Sequence, residues 1–352
     1  MSYSTETAYI TGTRPLTTGT REERSSQPLI SYPQAVLVES PGFLLRHSST
    51  RVDSCSMKVV IADRNLKGAE GACQEFNTKG QVAWAVEADV GDWESQKQAF
   101  EIAVERLGRV DYVFPIAGIT ERPWNPRQPG GSGFVKPNLA ILDVNATGAL
   151  YTCSLAIQQF RTQVSGKYGF RGKSKLYLSR DPELESHINV QLLLYPQLVV
   201  STAFPVCQFI PRRSSKATEI DPQGEKNINT SSAVVGFVRT HGKLLPEEAI
   251  TLNAICPTIV KTGISTGDFY DKADAKGLLI TIESLVKTFE SLLGDCKTSG
   301  EAIEILPGDD GFKIKERPEY SNEKCKVSCE MVEERTYNAF KALELKTNEP
   351  RS

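Results

Sequence analysis

A chain of 352 residues, 39% hydrophobic and 24% charged, has the make-up of a globular protein able to bury one large core. Its formal net charge of −2 gives no overall attraction to nucleic acid or to an anionic membrane. No apolar run reaches the roughly 18 residues that a membrane span needs, and residues 1–24 are polar with no apolar leader core, so a cytoplasmic protein is expected.

In chain order, Ala8, Tyr9, Ile10, Thr11 and Gly12 read as a first strand ending on a glycine. Residues 13–56 then carry no clear period. Residues 59–62 form a short β-branched apolar run, as a strand buried on both faces should. Ala69, Ala72, Cys73 and Phe76 follow at helix spacing, with Gly80 as a stop. Residues 82–86 read as the next strand, and Ala99, Phe100, Ala103, Val104 and Leu107 mark one helix face ending at Gly108. Strand-like 110–116 and a long helix over 142–160 come next. Two aperiodic stretches, 165–195 and 208–230, flank a strand expected within 192–202. Residues 233–245 are helical, 251–256 a strand, 282–293 a helix and 302–306 a last short strand.

This alternation predicts an α/β fold, a doubly wound, Rossmann-like parallel sheet with right-handed connections. The expected organisation is an irregular segment over 1–56 that includes the first strand, a single domain over 57–320 with insertions at 165–195 and 208–230, and a charged tail over 321–352. Eight scattered cysteines read as reduced thiols. Cys325 and Cys329 share a helix face, but none of the three histidines lies near them in sequence, and no metal site is expected.

Several polar residues sit where such a sheet does chemistry. Asp63 closes the 59–62 strand, where a carboxylate accepts hydrogen bonds from both ribose hydroxyls of an adenosine and repels a 2′-phosphate. It could equally start a turn or cap the next helix. Asp89 and Val90 end the third strand, beside where an adenine would lie, and Ala117 and Gly118 end the fourth, where small residues let the backbone approach closely. Asn145 falls inside a helix, where a buried amide needs partners.

The order and spacing of VVIADRN, ADV, IAG and LDVNATGALYT, with the later AVVGFVR and LNAICPTIVKTGI, resemble the short-chain dehydrogenase/reductase family, and within it 15-hydroxyprostaglandin dehydrogenase-like members. The resemblance covers roughly residues 57–160 and 198–320. It implies an NAD-dependent oxidoreductase that interconverts a secondary alcohol and a ketone, with a small-molecule substrate and a homo-oligomer built through the helices at 142–160 and 233–245. Carried over by position, Gly12 would open the phosphate-binding turn, Asp63 would bind the ribose, Asp89 and Val90 the adenine, and Ala117 and Gly118 would line the cleft. Asn145 would hold a water in the proton relay, and Ile259 and Thr262 would lie near the nicotinamide carboxamide and the diphosphate. Residues 266–277 would form part of a substrate lid. Pro115 and Ile116 depart from the family's asparagine-rich motif and should loosen the central strand contacts.

Two family motifs are out of place. The glycines that come after the first in TGxxxGxG fall on Leu16 and Thr18, with Pro15 inside the turn, and Thr11 and Asp63 stand 52 positions apart, about twice what one βαβ half requires. The YxxxK register set by AVVGFVR puts the tyrosine at Asn227 and the lysine at Ser231. A second register keeps Lys216 but sets Arg212 at the tyrosine position. YxxxK strings at Tyr320/Lys324 and Tyr337/Lys341 fall in the tail. Ser201 or Thr202, at the end of an apolar run, matches the family's strand-end serine, 56 positions beyond Asn145. Catalytic candidates are therefore Asn145, Ser201 and Lys216. Three readings stand: an active NAD-dependent oxidoreductase, a non-catalytic dinucleotide- or partner-binding protein on the same sheet, and a mis-spliced product in which 13–56 and 165–230 are foreign to the fold.

Overall fold

The computed structural model describes residues 6–12, 57–119, 133–166, 168–177, 230–261, 267–308, 311–317 and 319–347. In its first half the chain runs through β1 (Thr7–Thr11), β2 (Lys58–Asp63), α1 (Leu66–Phe76), β3 (Ala83–Glu87), α2 (Trp93–Leu107) and β4 (Tyr112–Pro115). A π-helical turn, Leu142–Gly148, leads into α3 (Ala149–Thr162), followed by β5 (Gly172–Tyr177) and α4 (Thr230–His241). The rest comprises β6 (Ile250–Pro257), β7 (Ile259–Val260), α5 (Gly267–Asp274), β8 (Leu279–Ile280), α6 (Ile282–Ser291), β9 (Ala302–Ile305), β10 (Phe312–Ile314) and α7 (Glu323–Thr347).

Eight strands form one sheet in the order β10-β9-β6-β5-β4-β1-β2-β3, and every pairing from β3 to β9 is parallel. The strand order reverses between β1 and β4. This is the doubly wound α/β fold that the alternating pattern predicts.

Alternation along each strand explains why the strands read as unbroken apolar runs. Tyr9, Val60, Ala62, Val113 and Leu252 pack on one side with Phe100 and Ala103 of α2, Cys153, Ala156 and Phe160 of α3, and Val234 and Val238 of α4. Ile10, Val59, Ile61, Phe114 and Ile255 pack on the other with Ala69 and Ala72 of α1 and Leu285 and Phe289 of α6. Both faces are covered along β1, β4 and β6, so each successive residue there is buried, whereas β3 is only partly buried. The ends of α2 are set by local chemistry. Asp92 accepts from the Ser95 N–H at 2.7 Å at its start, and Gly108 adopts φ +70° at its end.

The structure corrects the expected fifth strand. The place between β4 and β6 is filled by Gly172–Tyr177, inside the stretch expected to be an irregular insertion, and the apolar run at 198–202 lies outside the described residues. The sequence GKSKLY hides the strand because lysines take alternate positions and glycine and serine take the buried ones. Gly172 is small for a reason: a Cβ there would run into the ring of Phe160, which is itself fully buried. Ser174 is also fully buried, with its Oγ 3.7 Å from Cys153 Sγ.

Pro115 has the consequence its position implies. The Ile116 N–H donates to the Thr11 carbonyl at 3.2 Å on the β1 side, so the alternating N–H at 115 is the one that would face β5. A proline has no hydrogen to give there. The β4–β5 pairing accordingly covers Tyr112↔Lys173 and Val113↔Ser174 and goes no further, while β5 continues beside β6 to Tyr177.

Sequence reading also missed β10, the short β7–β8 pair and the helical character of the tail. Residues 1–313 form one compact unit and 314–352 a small second one. The second holds α7, along which Val327 and Met331 are exposed. Among the described residues no helix is long and apolar enough to cross a membrane.

Gly172→Ala is expected to lower unfolding stability by about 2 kcal/mol through overpacking against Phe160. Urea midpoints should show the double variant with Phe160→Leu to be less unstable than the two single losses added. Strict additivity would mean that the glycine and the ring do not meet.

Candidate functional site

The carboxyl ends of β1, β2, β3 and β4 are bound to one another by backbone. Ile116 N donates to Thr11 O, Gly12 N donates to Ala62 O at 2.8 Å, and Ala88 N donates to Asp63 O at 3.1 Å. This run of contacts crosses the point where the strand order reverses, the usual place for a ligand crevice in such a sheet. Six of the residues expected to bind cofactor, Gly12, Asp63, Asp89, Val90, Ala117 and Gly118, lie along it.

Gly12 occupies the crossing itself. Its φ is +87°, and a Cβ built on it would lie 2.6 Å from Ala117 Cα, so only glycine fits between the ends of β1 and β4. Asp63 is 2% exposed, and its Oδ1 accepts from the Asn65 N–H at 2.7 Å. Asn65 then caps α1 through the Gly68 N–H at 3.2 Å. The turn-forming role of Asp63 is therefore present in the structure.

Asp89 is fixed from two directions. Its N–H donates to Ser95 Oγ at 3.0 Å, and its Oδ1 accepts from Gly91 N–H at 2.9 Å. Its other oxygen faces Arg64 Nε at 3.7 Å, a pair open enough to solvent to add little stability.

Asn145 sits in the π-helical turn, and its amide is committed to one backbone unit. Oδ1 accepts from Ile119 N–H at 2.8 Å and Nδ2 donates to Ile119 carbonyl at 3.0 Å. This answers what a helix-interior amide is doing. It ties the helix to the segment leaving β4, just past Ala117 and Gly118.

Ile259 lies apart from this group. It is 6% exposed and packs with Tyr270, Ala273 and Leu279 beneath α5, so only its backbone could face a ligand. The 266–277 stretch, expected to form a lid, carries α5. Ser201, Lys216, Thr262, Arg212 and Asn227 lie outside the described residues, while Ser231 lies in α4.

Of the alternative tyrosines, Tyr320 has the wrong electrostatics for a proton-transfer phenol. Burial and the nearby Glu333, Cys329 and Glu330 raise Tyr320 above its usual range, the opposite of what a paired lysine should do. Burial alone pushes Tyr9 up, with its ring edge-on to Phe100 at 4.8 Å. Burial also pushes the Cys73 and Cys153 thiols up to about 12, which makes both poor nucleophiles.

Sequence reading missed Gln96, Thr152 and Gly148, which brace the same edge. Gln96 falls on the stripe that continues to Ala99, Phe100 and Ala103, so a polar residue at a core position of α2 was the available signal. Gln96 and Thr152 are fully buried.

Residues 46–168 match the family model for short chain dehydrogenases. A diacetyl reductase of Staphylococcus epidermidis that forms (S)-acetoin is 23% identical over 270 residues, 74% of this chain and 79% of that protein. A short-chain dehydrogenase/reductase of Penicillium rubens is 23% identical over 71% of this chain and 76% of its own length. Among solved structures, a 3-ketoacyl-(acyl-carrier-protein) reductase of Brucella melitensis complexed with NADH superposes with a TM-score of 0.54 at 18% identity, covering 86% of this chain and 97% of that one. A short-chain type dehydrogenase/reductase of Mycobacterium marinum gives 0.58 at 16% identity, covering 87% and 96%.

Replacing Asn145 with Leu strands the Ile119 N–H and carbonyl and should cost about 1–3 kcal/mol. Amide exchange of Ile119, followed by NMR, should accelerate in the variant; unchanged protection would show that the side chain does not anchor the segment. Residues 46–168 are thus similar in sequence to short chain dehydrogenases, and the chain shares the fold of these solved structures.

Proposed function

We propose that the carboxyl edge of β1–β4 binds the adenosine half of a nicotinamide dinucleotide, NAD in preference to NADP, as part of a family-type alcohol/ketone oxidoreduction. The observation that carries this reading is the close crossing at Gly12, where a Cβ would run into Ala117 at the point where the strand order reverses, with a buried carboxylate at the end of the neighbouring strand. The relatives named above include a diacetyl reductase and a reductase crystallised with NADH, which fits the same class of small carbonyl or alcohol substrate.

The residues present fit the adenosine end. Asp63 Oδ1 accepts from Asn65 N–H, and a carboxylate offers several acceptor positions, so ribose hydroxyls could be bound alongside the contacts it already makes. A 2′-phosphate would meet that same buried negative charge, which is the physical basis for preferring NAD. The Ala88–Val90 turn would border the adenine and Ala117–Gly118 the ribose. A bound nicotinamide would supply the hydride acceptor. Its proton-handling partners would come from the chain leaving β5, where Ser179 follows shortly after Tyr177 in sequence and stands as a candidate hydroxyl beside Ser201. Lys216 remains the candidate cation.

A second reading, binding without turnover, has its own support. Helix α4 begins at Thr230 and carries Ser231 where the family register calls for lysine, while Asn227 takes the tyrosine position. A side-chain amide cannot serve as the phenol that exchanges a proton with the substrate oxygen.

Titrating the protein with NADH and NADPH, followed by nicotinamide fluorescence, tests the cofactor assignment. NADH should bind more tightly, and Asp63→Ala should narrow the difference by about tenfold. Equal affinity for the two cofactors in the parent protein would overturn the preference. Oxidation of secondary alcohols with NAD should be negligible in the parent and should rise on combining Asn227→Tyr with Ser231→Lys. A double variant as inactive as the parent would remove that register.

A further inference from the structure

We infer that Gln96 is a positioning residue that clamps the adenine end of the cleft to the helix carrying Asn145. The Val90 carbonyl and the backbone at Gly148 are pressed together so closely that a Cβ on Gly148 would lie 2.8 Å from Val90 O. Two carbonyl oxygens meet at this junction, and both need a donor. Gln96 Nε2 supplies it, donating to Val90 O at 2.6 Å and to Gly148 O at 2.8 Å. An amide nitrogen has two hydrogens, so the bridge uses its full donor capacity. The remaining atom, Gln96 Oε1, accepts from Thr152 Oγ1 at 2.6 Å, and that hydroxyl also lies 3.0 Å from Gly148 O.

This arrangement fixes the orientation of the amide. Turned over, its oxygen would face two carbonyl oxygens in a site with no access to water, a buried arrangement without compensation. No other uncharged side chain of this length supplies two donors from one atom together with an acceptor for Thr152. The polar contacts then continue. Val90 is joined through Gln96 to Gly148, the same π-helical turn presents Asn145, and Asn145 holds both polar groups of Ile119 beyond Ala117 and Gly118. Three separate segments that border the proposed adenosine site are thus held by two side-chain amides, Gln96 fully buried and Asn145 partly so.

The inference rests on the dinucleotide reading for its ligand, but the clamp itself can be tested without ligand. The variants are Gln96→Leu, Thr152→Val, Thr152→Ser and a control, Phe100→Leu, which weakens the apolar packing of α2 without touching the amide. Hydrogen exchange of unliganded protein, read by mass spectrometry, should accelerate together in peptides 88–95 and 142–152 for Gln96→Leu. It should stay at the parent rate there for Thr152→Ser. NADH affinity should fall about tenfold in Gln96→Leu and about threefold in Thr152→Val, with Phe100→Leu and Thr152→Ser at the parent value.

If Phe100→Leu lowers affinity as far as Gln96→Leu, the effect is general loosening and the proposal fails. It also fails if exchange in the two peptides is unchanged in Gln96→Leu. Should Gln96→Leu not fold, Thr152→Val, which keeps the side-chain shape, carries the same comparison. A parent protein that binds no NADH would sink the dinucleotide reading alone, and coupled exchange in the two peptides would still establish the clamp.

Discussion

Tyr9 and Ile10 are neighbours on one strand, point to opposite faces and are both buried. The same holds for Val60 and Ile61 on β2. A parallel sheet covered in this way has no free face, so ligand chemistry is confined to strand ends, where backbone groups leave the ladder and loops begin. At those ends the elements approach more closely than side chains allow. Gly12 meets Ala117, and Gly148 meets Val90, each with less room than a methyl group needs. Such contacts bring carbonyls and N–H groups together in buried space, and each must then find a partner. The Gln96 and Asn145 amides are the answer to that demand, Gln96 from a fully buried position on α2 and Asn145 from a partly buried one in the π-helical turn.

The same constraint explains what could be read from the sequence. Strands β2, β4 and β6 announce themselves because burial on both sides leaves runs of apolar residues. Strand β5 obeys a different local rule. Phe160 takes the volume that a large β5 side chain would otherwise fill, so Gly172 and Ser174 occupy the buried positions. Apolar periodicity pointed instead to the run at 198–202, which lies outside the described residues. At the site, single residues with a positional meaning were legible, such as Asp63 at a strand end and Asn145 inside a helix. Their partners were not, since hydrogen bonds between Gln96 and Gly148, 52 positions apart, leave no mark in local pattern.

Relocating β5 also changes where the excess sequence lies. The interval from Asn145 to the strand is of ordinary length, and the surplus falls entirely in 178–229, between β5 and α4. The other long interval, 13–56, falls between β1 and β2. Both leave from carboxyl ends of strands, so both interrupt the one edge where the fold permits chemistry. The sheet is indifferent to them: β1 pairs with β2 over Thr7–Thr11, and β5 with β6 over Gly172–Tyr177.

Under the reading proposed above, the adenosine side of the cleft would lie on the β1–β4 side of the reversal, where the described strand ends are joined by backbone hydrogen bonds. The diphosphate and the proton-handling groups would then fall to the segments that leave β1 and β5, and those are the two places where the chain carries its long intervals. The bracing of the described edge runs through Gln96, Thr152 and Asn145, and these contacts join residues that lie in neither long interval. That edge is therefore held together by elements other than the two segments on which turnover would depend under the proposed reading.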